Sequence, residues 1–154
     1  MTQTLQRPVE SLYDSDFYAW TQNQADLLRQ GDFRRLDLDN LIEEIEDMGK
    51  SQQRQLESRL VVLIAHLLKW QFQPDKRSRS WQATIRIQRI RLHKLLRENP
   101  SLRAQLDQVI IEAYEVAVEA AWGETGLDST VFPTTCPYTA EQILDADFLP
   151  EAAE

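Results

Sequence analysis

Residues 37–73 read "DLDNLIEEIEDMGKSQQRQLESRLVVLIAHLLKWQFQ", and the fold turns on whether Gly49 ends one helix or sits inside a longer one. Before it, Leu38, Leu41, Ile42, Ile45 and Met48 recur at three-and-four spacing, an apolar stripe about 100° wide on a helix. After it, Leu56, Leu60, Leu63, Ile64, Leu67 and Trp70 keep the same period as far as Pro74, which lacks the N–H a helix needs and marks its end. A glycine in mid-helix costs only about 1 kcal/mol relative to alanine. The reading favours one continuous helix over a break at "MGKSQ" with Ser51 as a fresh N-cap.

Working outward, a first helix is expected from about Ser15 to Gln30, capped by Asp14 or Ser15 and stopped by Gly31. Phe17, Trp20, Leu27 and Leu28 share one side of it, and Tyr13 is placed to act as its N-terminal staple. Beyond Pro74, the segment 80–98 presents Trp81, Ile85, Leu92, Leu95 and Leu96. "ENPSL" then makes a sharp joint, with Asn99 as N-cap and Pro100 at the first helical position. The next helix, 101–122, carries Leu102, Leu106, Val109, Ile110, Tyr114, Ala117, Val118 and Ala121 and stops at Gly123. A proline-punctuated tail, 123–154, closes with a short helix whose capping box is Thr139 with Gln142. The four glycines and six prolines fall at joints, and no stretch alternates with period two. The expected fold is all-α: an antiparallel helical bundle of about five helices plus a short C-terminal helix, with residues 1–154 as a single domain, 13–122 the bundle and 123–154 the tail. Trp70 and Trp81 flank the loop after Pro74 and are expected to close one bundle end.

With 154 residues, 42% of them apolar, the chain can bury a core without disulfides or a structural metal. The single cysteine, Cys136, has no internal partner, and "MTQTLQRPVE" has neither the basic-then-apolar pattern of a leader nor a lipidation signal. The longest apolar run, Leu60 to Leu68, is interrupted by His66 and followed by Lys69, whereas a membrane span needs about 20 apolar residues. A cytoplasmic location and no membrane contact are therefore expected. The net charge of −8 is unevenly spread. Residues 76–97 hold Lys76, Arg77, Arg79, Arg86, Arg89, Arg91, Lys94 and Arg97 with no acid, while 107–154 hold eleven acids and no Lys or Arg.

The blocks "NLIEEIEDMGKSQQRQLESRL", "HLLKWQFQP", "SWQATI", "NPSL" and "FPTTCPYTAEQIL" together resemble the bacterial all-helical family catalogued as domain of unknown function number 29, over about Tyr13 to Leu144. Tyr138 departs from the tryptophan expected in the "CPWT" form of the last block but keeps an aromatic ring. The resemblance implies a helical fold and a cytoplasmic, bacterial setting, and it implies no reaction and no catalytic residues.

The residues themselves place few candidates for chemistry. His66 lies on the same helix edge as Arg59 and Trp70, beside the apolar stripe. Asp37, Asn40, Glu44 and Asp47 form a carboxylate-rich edge on the preceding segment, so Glu44, Asp47 and His66 make a weak candidate cluster: a metal site, an acid–base pair, or a partly buried ion pair or hydrogen bond. A ferritin-like centre needs Glu three residues before each His, and those positions are Leu63 and Ile90. A zinc site would have to draw His66, His93 and Cys136 from three separate elements. Cys136 has no local base or cation to make a thiolate. No phosphate loop or serine elbow occurs. No metal, cofactor or catalytic residue is therefore expected, and an enzyme is the third-ranked class.

The basic strip remains. Arg79, Arg86, His93 and Arg97 line the far side of helix 80–98 and form a candidate basic surface, but Ile87 and Ile90 share that outer half. Three readings stay open: pairing with the acidic helix of the same or a second molecule, an ordinary solvated face, or a phosphate backbone. The first function class is thus a noncatalytic interaction or regulatory module with an unidentified protein partner or self-association. The alternative is a nucleic-acid-associated factor using helix 76–97, against which an acidic pI near 4.8 counts.

Overall fold

The computed structural model describes residues 11–154; the opening "MTQTLQRPVE" read above lies outside them. The fold is all-α, with no strand among the described residues. Six α-helices follow in order: α1 (Leu12–Ser15), α2 (Phe17–Gln30), α3 (Leu38–Phe72), α4 (Arg79–Glu98), α5 (Leu106–Thr125) and α6 (Ala140–Leu144). The helices form two compact units, one ending at Gly49 and the other spanning Lys50–Glu154, and α3 contributes to both.

Gly49 is inside α3, as the periodicity predicts. A Cβ there would meet nothing, so no packing demand interrupts the helix. The first helix differs from expectation. Asp16 takes an extended conformation that separates α1 from α2, and its carboxylate accepts from Ala19 N–H at 3.0 Å, so Asp16 is the N-cap in place of Asp14 or Ser15. Gly31 ends α2 at φ 69°, the left-handed conformation that glycine adopts without steric cost. In this unit Trp20 and Leu27 are buried while Phe17 and Leu28 stay exposed. Tyr13 packs edge-on against Trp20, with ring centroids 4.9 Å apart.

In the larger unit the contacts fix the helix directions. Asn99, after the end of α4, donates to Gln52 near the start of the unit, and Arg59 donates to Gln88, both at 3.5 Å, so α4 runs antiparallel to α3. Gln53 donates to Gln105 at 3.0 Å, and Lys69 pairs with Glu124 at the other end, so α5 runs parallel to α3. The stripe Leu56, Leu60, Leu63, Ile64 and Leu67 is fully buried, and Ala65, Leu68 and Lys69 on other sides are buried too. The end of α3 is enclosed because the tail wraps it. Phe132, Tyr138 and Ile143 join the core, Phe72 meets Phe132 edge-on at 5.4 Å, and Tyr138 Oη donates to Gln71 at 2.7 Å. Thr139 and Gln142 form the expected capping box of α6.

Two boundaries are corrected. Asn99 stands at the N-cap position of a 3-10 turn that Pro100 opens, but its side chain makes no capping bond there: its backbone N–H and its side-chain amide both turn back to Leu95 O, at 2.9 and 3.0 Å, and finish α4. The following Pro100–Gln105 is left as a 3-10 turn, and α5 starts at Leu106. Gly123 lies within α5, which ends at Gly126 with φ 70°. The tryptophan pair also differs from expectation. Trp70 packs against the core, whereas half-buried Trp81 receives the Lys69 ammonium over its ring at 4.7 Å. No helix among the described residues is long and apolar enough to cross a membrane.

Candidate functional site

The acidic edge of α3 is already engaged within its own unit. Tyr13 Oη donates to Glu44 Oε1 at 2.5 Å, and that bond, with smaller contributions from burial and the neighbouring acids, raises the phenol pKa to about 12. Asp37 accepts from Trp20 Nε1 at 3.0 Å and from Asn40 at 2.8 Å, and these donors lower its pKa. Gln24, buried, accepts the Asp37 N–H at 2.8 Å. The carboxylates thus anchor the aromatic face of α1 and α2, and Asp47 stays exposed.

His66 has different partners. Nδ1 meets Val62 O at 2.8 Å, and since a carbonyl only accepts, Nδ1 carries the proton; Nε2 is the acceptor, 3.5 Å from Lys69 Nζ. Lys69 is only 4% exposed; its ammonium bonds Glu124, faces the Trp81 ring and touches His66. Glu44, Asp47 and His66 share no hydrogen-bond partner, and Lys69 with Glu124 takes the place that the sequence reading gave to that acidic edge. Among the described residues no three His, Cys, Asp or Glu side chains gather as metal ligands. Cys136 is half-buried, its thiol directed to Tyr138 O at 3.5 Å, and burial raises its pKa. The missed residue was Lys69, and the signal was a cation inside an almost wholly apolar run.

The basic strip divides into two faces. Arg89 is 2% exposed and belongs to the core side: Nε donates to Ile143 O at 2.8 Å and a terminal nitrogen to Gln142 O at 3.2 Å. His93 Nε2 adds a bond to Leu144 O at 2.7 Å. Together they bond the carbonyls of the last three residues of α6. The spacing Ile85, Arg89, Leu92, Leu96 already placed Arg89 on the apolar face. The outward face is open. Arg79, Arg86 and Arg97 are exposed and form no ion pair among the described residues; Ile87 and Ile90 beside them are 46 and 69% exposed.

A second open face lies on the first half of α3. Of the stripe read from the sequence, Leu41 is half-buried, yet Leu38, Ile42, Ile45 and Met48 are 53–67% exposed. Asp39, Glu43 and Glu46, also exposed, run along the Ile42 side of it. Four large apolar side chains over three turns thus have no cover among the described residues. The arrangement as a whole offers docking surfaces, while its polar groups are committed to holding elements together. No curated protein and no solved structure matches the chain. The sequence model of a family described as domain of unknown function DUF29 matches residues 12–149, and the chain belongs to that family.

Proposed function

We propose that this protein is a noncatalytic interaction or regulatory module of the bacterial cytoplasm, and that the first half of α3 is its docking surface. The observation that carries the reading is the exposed stripe Leu38, Ile42, Ile45 and Met48 with its acidic border. An amphipathic helix whose apolar face points to water gains by laying that face into a groove or against another helix. The well-packed polar groups support the same view. His66 Nδ1 is bonded to a backbone carbonyl and Lys69 to a carboxylate, so both side chains help hold elements together. A photo-crosslinking amino acid at Ile45, introduced in living cells, tests the reading. Covalent adducts with protein are expected, and they should vanish when the crosslinker is moved to exposed Glu115 on α5. No adduct from Ile45 would overturn it.

A second reading, a nucleic-acid-associated factor, draws on the exposed Arg79, Arg86 and Arg97 and on the groove between α3 and α4, whose walls include Arg54, Arg59, Arg91 and Lys94. Its signature is steep salt dependence: affinity should fall by about 0.9 in log K per unit of log salt for each phosphate contact. Flat salt dependence, or no binding at low salt, removes it.

A further inference from the structure

We propose that the two open faces are the two halves of one interface between copies of this chain, the acid-bordered stripe of α3 in one molecule lying on the outward face of α4 in another. This inference rests on the docking reading above and names the partner. Both faces are exposed among the described residues.

The stripe is a poor match for a second stripe. Between Leu36 and Gly49 the chain holds six carboxylates and no Lys or Arg, so pairing α3 with α3 would set acid against acid along the join. The α4 face has the opposite character. It carries two exposed isoleucines three residues apart, as Ile42 and Ile45 are on α3, and no acid lies between Lys76 and Arg97. Arg79 and Arg86 are seven residues apart, as are Asp39 and Glu46, which is about 10 Å along each helix at 1.5 Å per residue. Apolar rows of equal spacing can interlock while the flanking charges of opposite sign meet at matched intervals.

The two halves differ, so the contact is heterologous and each molecule offers both. One helix laid on another buries less than the roughly 1,200 Å² of a standard stable interface. The expected association is therefore weak, concentration-dependent and reversible.

Sedimentation equilibrium of the full chain, from about 5 to about 500 μM at low and high salt, is the test. The mass should rise above 18.0 kDa with concentration, and less so in high salt, where screening shortens the reach of charge. Glu43→Lys/Glu46→Lys and Arg86→Glu/Arg97→Glu change exposed residues and should keep the helical circular dichroism. Each double variant alone should associate at least tenfold more weakly, and an equimolar mixture should recover association, because one supplies an intact stripe and the other an intact α4 face. A wild-type mass of 18.0 kDa throughout, a base-reversed variant that associates like wild type, or a mixture that stays monomeric would each overturn the pairing. The Ile45 crosslink separates this failure from that of the docking reading: adducts only with other proteins fell self-pairing alone, and no adduct fells both.

Discussion

At His66 a single proton decides what the residue can do. Burial lowers its pKa, the Lys69 charge adds to that, and the Val62 carbonyl and Glu124 oppose it with smaller effect. The unfolded chain therefore binds a proton near pH 6.5 that the folded chain refuses until lower pH. The stability linked to neutral His66 is complete above about pH 6.5 and declines as the pH falls from there toward the depressed folded value. With two histidines in the chain, a proton NMR titration resolves both, and His66→Gln assigns the signal. The His66 midpoint is expected below 6.5; a midpoint at or above that value would show that the ring is charged and solvated. The neighbouring Lys69 supplies a second check. Glu124→Ala leaves a buried ammonium without its carboxylate and should cost about 1–2 kcal/mol, discounted because Glu124 is itself 55% exposed. Lys69→Met removes the charge and keeps the stem, so urea unfolding should show a smaller loss than Glu124→Ala. The reverse order would mean that the cation itself stabilises the fold.

Among the elements, α3 was the most legible and also the most deceptive. Its period survives Gly49, so its continuity could be read directly, and the physical reason is that the glycine costs backbone entropy without adding a steric break. Gly49→Ala is accordingly expected to stabilise the chain by about 0.5–1 kcal/mol, measured as a shift of the urea midpoint. Destabilisation would show that the helix needs a flexible point there. What period could not tell was which part of the stripe is covered. Leu38 to Met48 and Leu56 to Leu67 look alike as patterns, yet the first set is exposed except for half-buried Leu41 and the second is fully buried, because burial depends on which other elements arrive. Residue identity placed the joint at Asn99 but not the direction of its side-chain bond, which closes the helix before it, nor the 3-10 turn that precedes α5. For the same reason the strip 76–97 looked like one basic surface. Its charges point in different directions, and the buried Arg89 serves α6.

For the whole molecule, the all-α fold, the core of α3, α4 and α5 and the capped last helix followed from apolar period and cap chemistry. The polar centre around Lys69 did not, because its partners lie 55 residues apart in the chain and no local pattern joins them. The division into two units has an energetic consequence that separates packing from docking. Leu60 and Ile45 sit on the same helix, both apolar and both in the stripe, but one is fully buried and the other 65% exposed. Leu60→Ala removes buried methyl groups and leaves a cavity, which costs about 2–5 kcal/mol. Ile45→Gln removes no buried contact, so its effect on unfolding should stay within about 0.5 kcal/mol. If the stripe is a docking surface, the same Ile45→Gln should abolish association while unfolding at low concentration is unchanged. A loss above about 1 kcal/mol on Ile45→Gln in the dilute chain would place the stripe inside the fold and take away the basis of the docking reading, whereas selective loss of association assigns the apolar face to a partner.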